Sequence, residues 1–489
     1  MLRRIALVGG SGVLGALALA AVQIRAGSLF GAGGELDAFF VGAAIPSVLL
    51  AVGAGSIVAL VVPRLPADDV LGAAHSSGRL AVLAALFTLP LAAFVAAAAP
   101  LLVTVVGPGL SDASSDQAAA VLRIYALSIP ATSAAHVFAA HGHAVGRGWS
   151  GGVSTGAYGL VWFGLLFVGP FVTSARSVAA AGLLATTVQV LSAYWLSSGR
   201  GHRPRPRFRS LRVGRAALWA LAAVLGATVV SRLGLLLDPL YGSLLDPGSV
   251  SQLSYATRIA LLAVFVSGQG AALSVLAVSR ERGHKADADA SFGLVAPLLL
   301  SLGVGVVMVA AGPGGAEMLL ARGEFTTQDA ESVGRLLQLW APAVVVMSVI
   351  WALEAMLYAG GQTTPVLRRA AVGFGVNAAA SGTLVALLGI WGRPLGLLVG
   401  MVTQLALLMA YLAQDRRVTA LWSAVTIRAG ARVLVLAGVA AGLGYLLGSA
   451  VDSPQLGAIA ATVLGGAATV LVVVRLERAA PYPLSEAVT

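Results

Sequence analysis

The chain has 489 residues, of which 58% are apolar and 10% charged, with a mean hydropathy of +0.91 and a formal net charge of +11. Soluble globular domains carry about 25% charged residues, so this composition excludes that class and puts the chain in a bilayer. Cysteine is absent, which removes disulfides, thiolate metal sites and thiol catalysis.

A hydrocarbon core of about 30 Å needs some 20 apolar residues per helical crossing. The N-terminal MLRRIALVGGSGVLGALALAAVQ starts basic like a signal peptide, but its apolar run is long enough to span, so it reads as the first helix. In chain order the expected spans are 5–27, 37–63, 79–106, 118–140, 150–171, 177–197, 213–236, 249–278, 291–311, 329–358, 367–389, 394–413, 431–449 and 455–474. The fold class is therefore an all-α polytopic membrane protein of about 14 transmembrane helices.

The second span opens GGELDAFFVGAAIPSVLLAVGAG, with Glu35 and Asp37 at its mouth and Pro46 inside it. Two readings of Asp37 stand side by side. It complements the dipole of its own helix, or it gates, pairing with a cation across the lobe interface only while the outer gate is shut. Proline removes a backbone hydrogen bond and bends a helix, so Pro46, Pro130 and Pro342 are candidate hinges, although membrane helices tolerate proline generally.

Lys and Arg collect in cytoplasmic loops. With the N-terminus inside, the inside loops hold twenty-three of the 31 basic residues, the outside loops only Arg176, Arg322 and Arg393, and the spans Arg25, Arg123, Arg232, Arg258 and Arg335. Both termini are thus expected in the cytoplasm. The densest basic stretch, GRGHRPRPRFRSLRVGR at 199–215, lies between two spans and holds one aromatic residue. It reads as a loop attracted to anionic membrane lipids, and no nucleic acid partner is expected.

That loop divides the chain into an N-terminal six-helix lobe (1–199), a basic cytoplasmic linker (200–212), a C-terminal six-helix lobe (213–415), and two further helices with a cytoplasmic tail (416–489). Internal similarity supports a duplication. Arg123 precedes Pro130 by the same interval as Arg335 precedes Pro342, each after a capping segment, SDASSDQ at 111–117 and FTTQD at 325–329. Gly53 and Gly55, followed by Arg64, match Gly268 and Gly270, followed by Arg280. Lobes related by a pseudo-twofold axis suit alternating access, with the cargo site between them. Sequence leaves open whether the last two helices form a groove or brace the bundle.

FGAGGELDAFFVGAAIP (30–46), PGSVSQLSYATRIA (247–260), RGEFTTQDAE (322–331) and LYAGGQTTPV (357–366) together resemble the MurJ/MviN family of lipid II flippases in the MOP superfamily. The resemblance implies a fourteen-helix fold and movement of a polyprenyl-pyrophosphate-linked glycan, lipid II or a related lipid-linked oligosaccharide, across a bacterial cytoplasmic membrane. It also assigns the family's second-helix aspartate to Asp37 and its eighth-helix arginine to Arg258. Asp238 and Asn377 fall where some relatives help bind sodium. The chain departs from the family at Val22 and at about Leu50 and Ala51, where arginines would fall. Arg25, one helical turn beyond Val22, is the candidate stand-in.

Arginine within a span is costly and faces a wet cavity or a paired acid. A guanidinium fork matches phosphate oxygens, so Arg258 is the first candidate for the cargo's pyrophosphate, the alternative being a structural ion pair. Arg25 either lines the cavity or snorkels to the outer interface. Glu354, beside Trp351 and Tyr358, reads as an interfacial salt bridge rather than a proton-coupling acid. His141 and His143 are expected in a short solvated loop, and no metal site is expected. Lys285, the only lysine, sits in RGHKADAD, which excludes a Walker A loop.

The expected protein is a monomeric flippase with no resident cofactor, not an enzyme, driven by a Na+ or H+ gradient or by membrane potential. Its partners would be the lipid-linked glycan, membrane lipids and cell-wall or polysaccharide synthesis enzymes. The alternatives are a MATE-like ion-coupled exporter of small molecules and a non-transporting scaffold of glycan assembly.

Overall fold

The computed structural model describes residues 2–61, 70–198, 229, 232–264, 267, 286–359, 362–413, 424–451 and 453–479, and among them there is no strand. The basic linker 200–212, most of the expected span 213–236, Arg64, Gly268, Gly270 and Arg280 lie outside the described residues. Nine stretches of the described residues are long and apolar enough to cross a membrane. Large apolar side chains such as Phe87 and Leu101 are 78% and 68% exposed, as the lipid-facing surface of a membrane-spanning bundle requires.

The chain forms two compact units, residues 1–254 with 323–325, and residues 255–322 with 326–489. In the first, α1 (Leu2–Phe30), α2 (Gly34–Val61), α3 (Val70–Ala97), α4 (Ala99–Val106), α5 (Asp112–Ala144), α6 (Trp149–Leu165) and α7 (Ala175–Ser197) are followed by the short α8 (Leu237–Ser243) and the start of α9 (Ser249–Val264). There α1 packs on α6, α2 and α3 on α5, and α7 on both α5 and α6.

The second unit holds the rest of α9, then α10 (Ala286–Leu320), α11 (Thr327–Ala359), α12 (Thr363–Leu388), α13 (Gly392–Tyr411), α14 (Ala424–Ala450) and α15 (Pro454–Ala479). Within it α10 packs on α11, α11 on α13, and α12 on α13. The same pairing order, third on fourth, fourth on sixth and fifth on sixth, runs through α3, α5, α6 and α7 of the first unit. Helices α14 and α15 pair with each other and lie on α10, so closely that a Cβ on Gly303 would meet the Thr469 hydroxyl at 2.0 Å.

Local chemistry sets the helix starts. The Ser111 hydroxyl accepts from Ser114 N (3.3 Å) to open α5, and Ser174 with Ser177 forms a reciprocal cap at α7. At α11 Thr326 Oγ1 accepts from Asp329 N (3.1 Å) while Asp329 Oδ2 accepts from Thr326 N (3.3 Å), a capping box built on acid and threonine. Two expectations need correction. The span 79–106 is two helices broken at Ala98, because Pro100 in the first turn of α4 has no N–H for the ladder. His141 is not in a loop: α5 runs on to Ala144 and buries His141 completely, with Nδ1 3.0 Å from Ser77 Oγ.

Candidate functional site

The start of α2 carries two carboxylates with two different tasks, both within the first unit. Glu35 Oε2 accepts from Ala175 N (3.0 Å), the first amide of α7, and Glu35 Oε1 accepts from Gln117 Nε2 on α5. Asp37, 3% exposed, turns the other way, onto the start of α9. Its Oδ2 accepts from Gly248 N (2.6 Å), and its Oδ1 accepts from Ser251 N (2.8 Å) and Ser251 Oγ (2.5 Å).

A helix N-terminus presents unpaired amides and partial positive charge. A carboxylate supplied from another helix satisfies both, with charge-assisted bonds about twice as strong as neutral ones. The expectation that Asp37 pairs with a cation is therefore corrected: what it holds are two peptide N–H groups and a serine hydroxyl.

The surrounding turns permit the approach. Gly248 has φ +94° and lies so near Ala32 that a Cβ would sit 2.8 Å from the Ala32 carbonyl oxygen; only glycine meets both conditions without strain. Glu324 N donates to Ser28 O (3.1 Å) and Gly109 N to Ser243 Oγ (3.3 Å). Segments 28–32, 107–110, 243–251 and 323–325 are thereby knitted together around the α1–α2 turn.

Arg258 follows Ser251 on α9 by two turns, roughly 10 Å along the axis and within about 20° of the same face. Ser254 falls between them on that face, and Arg258 is partly buried and engaged. Arg25 is placed differently. Its Nε donates to Leu166 O (3.4 Å) just past the end of α6, its Nη1 to Ser28 Oγ (3.4 Å), and its guanidinium lies 4.7 Å from the centre of the Phe167 ring. Val22, where the resemblance implied an arginine, is buried. Pro46, Pro130 and Pro342 all sit inside unbroken helices. Pro46 frees the carbonyl of Gly42, a residue pressed on α5 so tightly that a Cβ would lie 2.4 Å from Ala118 O.

The second unit contains a line of buried polar groups. Glu354 on α11, expected near an interface, is 8% exposed and accepts from Gln404 Nε2 of α13 at 2.9 Å. Where α13 crosses α12, Asn377 and Ser381 of α12 meet Arg393 of α13, and these three are 1%, 0% and 1% exposed. Arg393 was expected in an outside loop; instead it occupies the first turn of α13.

Sequence reading missed Gly248 and Ser251 as the partners of Asp37, because backbone donors leave no mark in a sequence. Arg393 did have a signal. Gly392, Gly396 and Gly400 recur every fourth residue, the small-residue stripe of a close helix crossing, with the arginine at its head.

A sodium ion at Asn377 would need oxygen lone pairs. Asn377 Oδ1 already accepts from Ser381 Oγ (3.0 Å) and Arg393 Nη1 (3.2 Å), and Ser381 Oγ accepts from the same Nη1 (3.3 Å). These residues do not fit a sodium ion. Asp238, the other expected cation ligand, is buried in α8 of the first unit. Among the described residues no cluster of His, Asp and Glu could hold a metal.

The family model of the lipid II flippase MurJ matches residues 26–462. No curated protein matches. Among solved structures the chain is similar to a lipid II flippase MurJ in an inward closed conformation, with TM-score 0.75 and 15% identity over 98% of this chain and 99% of that one. It is also similar to an inward-facing MATE multidrug resistance transporter of the MOP superfamily, at TM-score 0.64 and 18% identity over 85% of this chain and 99% of the other. A MOP superfamily transporter from Pyrococcus furiosus matches at TM-score 0.61 and 17% identity, over 86% and 96% of the two chains. These likenesses establish the fold, and because the family model spans most of the sequence, the chain belongs to the lipid II flippase MurJ family.

Proposed function

We propose that this protein moves a polyprenyl-pyrophosphate-linked glycan, lipid II or a close relative, across a bacterial cytoplasmic membrane by alternating access. The observation that carries the reading is the Asp37 cap on α9, two turns from Arg258 on the same helical face. One helix thus holds both a closure and a candidate cation for the headgroup.

In this reading Arg258 binds pyrophosphate oxygens through its guanidinium fork, and the isoprenoid tail stays in lipid. Movement of α9 on cargo binding breaks the bonds from Gly248 and Ser251 to Asp37, and α2 bends at Pro46, beyond the part locked on α5 at Gly42. The side that Asp37 closes is the outer one, both termini are cytoplasmic, and the glycan is handed over inside by the enzymes that build it. The protein works as a monomer and no catalytic step is involved. Pro130 and Pro342 are the corresponding bends in α5 and α11.

The test is reconstitution of the full-length protein in vesicles carrying lipid II in both leaflets, with an impermeant glycan-modifying enzyme added outside. Wild type should expose the inner pool and Arg258→Ala should not. Inner-leaflet lipid that stays protected with wild type, or equal exposure by Arg258→Ala, would remove the reading.

A further inference from the structure

Arg393 is the only fully buried arginine among the described residues. It stands in the first turn of α13, where the helix's own amides already place partial positive charge. Burial within a membrane bundle disfavours it a second time. A guanidinium kept there against both effects is held by fixed oxygens, and Nη1 alone reaches two: Asn377 Oδ1 and Ser381 Oγ.

The backbone leaves little freedom to rearrange. Asn377 and Ser381 are four apart on α12, as Gly396 and Gly400 are on α13. A Cβ on Gly396 would sit 2.4 Å from Ser381 Cα, and one on Gly400 would sit 2.4 Å from Asn377 Cβ. The two helices touch through main chain, so the oxygens and the arginine are presented to each other by rigid elements.

We infer that Arg393 is a built-in cation standing in place of a mobile one, so that this chain binds no sodium at Asn377 and its transport is independent of sodium. Hard cations are held by oxygen lone pairs, and here those oxygens face a positive group that is never deprotonated. A tethered charge also cannot be released and rebound in each cycle, so whatever drives the cycle acts elsewhere. The transport half of this inference rests on the flippase reading; the binding half does not.

The experiment is thermal unfolding of the purified full-length protein, titrated with sodium chloride against choline chloride at constant ionic strength. Wild type should unfold at the same temperature in both salts. Arg393→Ser, which removes the guanidinium and adds a hydroxyl, should unfold earlier in choline and recover part of the loss in sodium alone. A saturable, sodium-specific rise in the wild-type Tm would overturn the inference, as would a folded Arg393→Ser indifferent to sodium. If that variant does not fold, the wild-type titration still decides. In vesicles, lipid II exposure should be equal with sodium or choline on both sides. Exposure that stops in choline overturns the inference. Exposure in neither salt removes the flippase reading and leaves the unfolding result to stand on its own.

Discussion

Asp37 and Ser251 meet twice, through the Ser251 amide at 2.8 Å and its hydroxyl at 2.5 Å, although 214 positions separate them in the chain. With Gly248 N as the third donor, the carboxylate ties the first turn of α2 to the start of α9 in one contact. Asp37→Ala should cost about 2 kcal/mol, in the range of a lost helix cap with charge-assisted bonds. Ser251→Ala, which leaves the two amide bonds, should cost about 1 kcal/mol. The double variant should cost less than the sum of the two, since both act on one contact. Denaturation midpoints of the four proteins check this, and strict additivity would mean the two residues do not act together.

Gly248→Ala attacks the same contact from the backbone. At φ +94° with Ala32 O in the way, the added methyl costs at least about 1–2 kcal/mol. A cysteine introduced at position 37 should become more reactive to a water-soluble thiol reagent in the Gly248→Ala background. The chain's lack of native cysteine gives this labelling no background. Unchanged labelling would show that the turn does not control access to position 37.

Pro46→Ala restores a donor for the Gly42 carbonyl and straightens α2. Thermal stability should hold or rise slightly, while lipid II exposure should fall several-fold. A variant that transports at the wild-type rate would assign the bend elsewhere, with Pro130 next to test.

Arg258 and Arg25 should separate by readout. Arg258→Lys keeps the charge but loses the bidentate fork, so exposure should be reduced and not abolished, with little change in Tm. Arg25→Ala removes bonds to Leu166 O and Ser28 and the packing on Phe167, so it should lower stability by about 1 kcal/mol and leave exposure largely intact. Loss of exposure at full stability in Arg25→Ala would instead put Arg25 against the cargo.

Helix content and span positions were open to sequence reading because apolar length is a local property. The expected span 329–358 is α11 at Thr327–Ala359, and its capping segment is a real cap at Thr326 and Asp329. The break at Ala98 was harder, since Pro100 could equally have sat inside an unbroken helix, as Pro46 does. The site was half legible. Asp37 and Arg258 stand out as charges in an apolar chain, but the task of Asp37 depends on peptide groups more than two hundred positions away. Arg393 was hidden for a different reason: a tally by loops counts charge without asking whether a tight helix crossing buries it. His141 was misplaced because the expected span closed at 140, whereas the helix runs on to Ala144.

Two of the three hydrogen bonds that Asp37 receives come from peptide nitrogens, which no codon specifies. Residues 249 and 250 can drift through evolution without weakening that grip, provided a helix still starts there behind a glycine. Neither nitrogen gains or loses a proton at any physiological acidity. Heredity therefore has three letters to guard at this contact, Asp37, Gly248 and Ser251, and the two amide donors are furnished by the polymer itself.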